Sequence, residues 1–168
     1  MTPSPDAACQ TTSPSTSRRW SLVARAVAAG LAGAALIDVY LVVVESFVLR
    51  NATPQLVMQW DASNALGRAA YRGGWETAIL GTLMHLCVSI AWAAAFVSIA
   101  TRVDWLTKRP ILSGALLGVV AMAVMRAVIH LGHAVIHPFT PLTFVVILIA
   151  HTFFFGIPVA LVAAATRD

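Results

Sequence analysis

The chain predicts an all-α membrane protein, an up-down bundle of four transmembrane helices with a short helical segment along the outer interface. Three observations lead there. Of 168 residues, 59% are hydrophobic, only 11% are charged, and the mean hydropathy is +0.82, against about 25% charged residues in soluble domains. Four apolar segments each exceed the roughly 20 residues that cross a hydrocarbon core of about 30 Å. The basic residues collect at the edges of those segments, as topology determinants do.

The expected elements follow in order. Residues 1–19 open with MTPSPDAACQTTSPSTS, a Pro, Ser and Thr stretch without apolar periodicity, which reads as a disordered cytoplasmic tail. Residues 20–168 then form one four-helix domain, with helices at about 21–49, 76–100, 111–136 and 142–165. In lipid the backbone must satisfy its own hydrogen bonds, so each apolar segment is helical. Arg109-Pro110 opens the third helix, and Pro138 and Pro141 separate it from the fourth. Trp20, Trp60, Tyr71, Trp75 and Trp105 fall near segment ends, where amphipathic rings settle at headgroups. The one long connection, 50–75, carries short helical patterns at residues 54–60 and 65–71.

Seven basic residues (Arg18, Arg19, Arg25, Arg102, Lys108, Arg109, Arg167) flank one side and three (Arg50, Arg68, Arg72) the other. The asymmetry places both termini in the cytoplasm of a bacterial inner membrane. Ser17-Arg18-Arg19-Trp20-Ser21-Leu22 partly resembles a twin-arginine export signal. The apolar run continues through Leu49, though, so an uncleaved anchor is expected. The net charge of +4 does not point to nucleic acid, because the basic residues are scattered rather than gathered on one face. The expected partner is the lipid bilayer. Gly30 and Ala34, and Gly114 and Gly118, have small-xxx-small spacing that suits close helix packing or self-association. Cys9 and Cys87 read as inert thiols, with neither disulfide nor zinc-site spacing.

The chemistry lies within the helices. Asp38, His85, Arg126 and His151 each fall at a depth of roughly 13–18 Å, counted at 1.5 Å per residue from the outer end of their segment. Asp or Arg at a helix centre costs about 2.5–3.5 kcal/mol on insertion scales, so such residues are expected to face the bundle interior and find partners. An Asp38–Arg126 ion pair across the core is the natural expectation. Arg126, His130, His133 and His137 share one helical face, and Asp38 and Glu45 share another. Glu45, His130, His133 and His137 form a candidate transition-metal set, while His85 and His151 could ligate a haem from two sides. Three uses remain open: a structural layer fixing helix register, proton or small-solute translocation, and metal or haem binding. No nucleophile–base pair, phosphate loop or paired-carboxylate motif speaks for an enzyme.

The chain also resembles a family of bacterial four-helix integral membrane proteins with no assigned activity. The likeness rests on Gly33-(x4)-Asp38, Ala62–Gly74, Thr77–Gly81-(x3)-His85 with Ala91–Ala94, Trp105–Pro110-(x2)-Ser113-Gly114, and His151-(x4)-Gly156–Ala160. It implies the same fold and location, with Asp38, His85 and His151 at motif positions. The third helix departs from the family pattern at Arg126, His130, His133 and His137.

Overall fold

The computed structural model describes residues 21–132 and 140–167, and every regular element among them is helical. Four helices are long and apolar enough to cross a membrane: Leu22–Val48, Gly74–Ala100, Pro110–Leu131 and Pro141–Ala165. The chain is a multi-pass membrane protein. The N-terminal tail lies outside the described residues.

Helix starts follow local chemistry. Ser21 caps α1 (Leu22–Val42), its hydroxyl accepting from the Ala24 amide at 3.1 Å. Two Thr-Pro pairs repeat the device: Thr53 caps α2 (Pro54–Leu66) and Thr140 caps α6 (Pro141–Ile149). In each, the hydroxyl satisfies an orphan amide, and proline occupies a first-turn position where its missing N–H costs nothing. A tight turn at Gly73-Gly74 leads into α3 (Gly74–Ala100); Gly74 has φ +58°, which a side chain would resist. The short α4 (Trp105–Lys108) joins α3 to α5 (Pro110–Leu131). α5 is described to Leu131, with Gly132 extended as its cap; the expected end at 136 lies outside the described residues.

Two spans widen into π-helical turns that their sequences do not announce. α1 continues through Val43–Val48, and α6 passes through Ala150–Gly156 into α7 (Ile157–Ala165). Such segments favour functional sites, and these two carry Glu45 and His151.

α1 packs on α3 and on the fourth span, and α5 packs on the other side of that span; α3 and α5 make little direct contact. Lipid supplies no apolar driving force between helices, so close van der Waals approach must hold them. Small residues provide it. A Cβ on Gly118 would lie 2.2 Å from the His151 carbonyl oxygen, and one on Gly156 would lie 2.1 Å from that of Gly114. Gly30 likewise meets the Ile90 backbone. Three of the four small residues noted in the sequence thus serve contacts within the chain. Around them lies a core of Ala29, Ala93, Phe96, Val97, Val159, Ala160 and Ala163. Arg25, buried in the first turn of α1, donates to the Ala163 carbonyl at 3.0 Å. Nearby, Arg167 bonds to both Asp104 and Thr107. That hydrogen bond, with the charges of Arg167 and Lys108, holds the exposed Asp104 carboxyl below its ordinary range.

Candidate functional site

Toward the α2 end the bundle is hollow. A cavity of about 430 Å³ lies among α1, α2, α3, α5 and the fourth span. All four ionisable residues of the expected polar layer line it, as does Glu45.

Their pairing differs from expectation. The Asp38 carboxylate approaches His85 Nδ1 at 2.6 Å, and Asp61, a residue of α2, approaches the same nitrogen at 3.5 Å. Both carboxylates thus face one nitrogen of the His85 ring. Arg126 is not paired with Asp38 at ion-pair distance; its guanidinium meets His130, one turn on, at 3.4 Å. Helix register explains the difference. Gly118 stands against His151, and Arg126 is eight residues further along α5, roughly 12 Å along the axis.

Asp38 and His151 line the same cavity, and Tyr40, two residues on from Asp38, stacks on Phe154 with ring centroids 4.3 Å apart. His151 Nδ1 contacts the Ile147 carbonyl at 2.9 Å, the backbone group that the π-helical segment leaves in reach, which leaves Nε2 for another partner. Asp38, His85, His151 and Asp61 thus share one cavity wall, with both carboxylates near the His85 ring.

α2 is the contributor that sequence reasoning missed. The Gly81 site of α3 would put a Cβ only 2.0 Å from the Met58 carbonyl oxygen, so α2 lies flush against α3. Gln59 secures it by donating to the Gly74 carbonyl at 2.8 Å and to the Thr77 hydroxyl at 3.0 Å. That docking carries Asp61 to His85, eleven residues inside α3. Asp61 keeps 38% of its side chain accessible, yet it is deeply surrounded: the accessible part is cavity wall. Burial pushes its carboxyl up to about 6, with His85 pulling down and Asp38 pushing up. The available signal was plain in retrospect, since Asp61 is the one acidic residue between Arg50 and Gly74. Trp60 and Tyr71, expected at headgroups, also line the cavity.

The metal set fares differently. His133 and His137 lie outside the described residues. Glu45 is buried on the cavity wall, where Asn51 donates to it at 3.2 Å, whereas His130 is exposed. Among the described residues no group of three or more His, Cys, Asp or Glu side chains is arranged to hold a metal ion. Cys87 is an exposed free thiol, and Cys9 lies outside the described residues.

No protein-family model, curated protein or solved structure matches the chain.

Proposed function

We propose that this protein binds a small solute within the membrane and couples that binding to proton exchange, as a translocation protein would. The observation that carries the reading is the Asp38–His85–Asp61 group on the wall of the 430 Å³ cavity. An imidazole between two carboxylates can take up or release a proton with little rearrangement. A structural ion pair would need no hollow beside it. Ionisable groups facing such a space inside a membrane bundle mark solute or proton paths.

The same proposal includes topology. Contacts of α1 with α3 run from Gly30–Ile90 to Asp38–His85, and those of α5 with the fourth span run from Gly114–Ile157 to Gly118–His151. Each pair runs in opposite chain directions, which supports an up-down bundle. Setting aside Arg25, which is buried within α1, six of the seven basic residues remain on the terminal side against three on the α2 side. That bias supports cytoplasmic termini, a bacterial inner membrane and an outward-facing cavity. The family resemblance in the motif positions accords with this arrangement.

Proteoliposomes loaded with a pH-sensitive dye and energised by a potassium diffusion potential test the relay. Proton flux above that of protein-free vesicles, abolished by Asp38→Asn, is the expected result. Wild-type flux no greater than that of empty vesicles would overturn it.

A further inference from the structure

The cavity wall identifies the class of solute, given the binding reading above. We propose that the ligand is a small organic cation with an apolar body, held by the carboxylates of Asp38, Asp61 and Glu45.

Charge on the wall is unbalanced. Three carboxylates face a hollow in which, among the described residues, the one guanidinium, Arg126, stands roughly 12 Å along α5 from the His151 level and is engaged with His130. At the level of Asp38 and Asp61 the basic side chains of the described wall are the imidazoles His85 and His151. Even a fully protonated His85 neutralises only one of the two carboxylates that approach it. Glu45, buried on the wall, takes its hydrogen bond from the neutral Asn51 amide. Excess negative charge in an apolar space is costly unless a cation shares it.

A second observation points the same way. Asn64 follows Asp61 by three residues on the same face of α2. Its amide nitrogen donates to the Asp61 backbone carbonyl at 3.1 Å. Its carbonyl oxygen is buried without a hydrogen-bond partner among the described residues, and Asn64 lines the cavity. A buried acceptor without a donor is rare and costs about 1–3 kcal/mol. An ammonium group carrying N–H, or the polarised C–H of a methylated one, would meet it. Trp60, Tyr71 and Trp92 add aromatic surface to the same wall, and aromatic faces attract cations as neutral apolar walls do not. The remaining lining is largely aliphatic, which suits an apolar body, and the volume falls within the range of small-molecule sites.

The test uses three probes of one shape: benzyltrimethylammonium, its neutral carbon isostere neopentylbenzene, and the anion benzenesulfonate. Each is titrated calorimetrically into the purified full-length protein in detergent. Saturable binding of the cation, on the order of tenfold tighter than either other probe, is expected. Asp61→Asn and Glu45→Gln should each weaken the cation while leaving the neutral probe unchanged. If a variant fails to fold, the wild type still decides by its selectivity and by its pH response. Protonation of Asp61, which faces His85 of α3 and Asp38 of α1, should weaken cation binding as pH falls through about 6. Equal or tighter binding of neopentylbenzene, or of benzenesulfonate, would overturn the cation and leave the binding cavity standing. Binding of none of the three would also overturn it, while the proteoliposome flux would still decide the proton relay.

Discussion

One half of this bundle is filled to the backbone, and the other half is built around a space. Toward Arg25 and Ala163, alanines and glycines bring helices into close contact, the Gly30 site against the Ile90 backbone and the Gly33 site against Val159. Toward α2, the same helices carry Asp38, Glu45, His85, His151 and Arg126 around the cavity. The two halves use different means to the same end. Small residues give close van der Waals contact, the main adhesive available between helices in lipid. Polar residues cannot be packed so tightly without satisfying every donor and acceptor, and here they line a cavity. Close packing and the candidate site are thereby concentrated at different ends of a very small protein.

The close contacts between helices can be broken first. Gly118→Ala should have the largest effect, because its Cβ would arrive 2.2 Å from a backbone oxygen that no rotamer change can move. We expect a loss at or above the upper end of the roughly 1–3 kcal/mol typical of overpacking, read as a lowered thermal midpoint in detergent. Next is Arg25→Leu, which keeps the apolar stem and removes the charged donor to Ala163. A loss of about 1.5–3 kcal/mol is expected, and an unchanged midpoint would show that this anchor contributes nothing.

The hollow side predicts a pH effect instead. The Asp61 carboxyl is raised from 3.8 to about 6, so the folded protein holds this proton more tightly than the unfolded chain does. Its contribution is complete below about pH 4 and is lost as pH rises through about 6. The thermal midpoint should therefore fall across that interval, and Asp61→Asn should flatten the fall. An identical pH profile in the two proteins would contradict the burial of Asp61. The smallest effect is expected from Met125→Phe, which adds volume on the cavity wall. It should cost less than about 1 kcal/mol, whereas Ala160→Phe, in the filled half, should cost at least the roughly 1–3 kcal/mol of overpacking. Equal losses at the two positions would mean that the hollow is closed in solution.

Much of this was readable in the chain. The ends of the first, second and fourth spans fall within two residues of expectation, because lipid demands long apolar helices whatever their neighbours. Asp38, His85 and His151 were legible for the same reason: a charge in an apolar run is visible and costly wherever it points. For the third helix the expected end at 136 lies outside the described residues; within them α5 runs to Leu131 and Gly132 is its cap, the residue type that commonly closes a helix.

What the sequence by itself determined was therefore the number of spans, their lengths, and which residues must be hidden from lipid. What only the tertiary structure decided was who meets whom. The partner of Asp38 depended on how far α5 slides along the fourth span, and that slide is set by Gly118 against His151, a contact between residues distant in the chain. Asp61 entered the layer because α2 docks at Gly81, where the absence of a side chain on α3 admits the α2 backbone. Hydrophobicity acts on each segment alone and can be read from it, but register and close approach are properties of pairs of helices, and no single segment contains them.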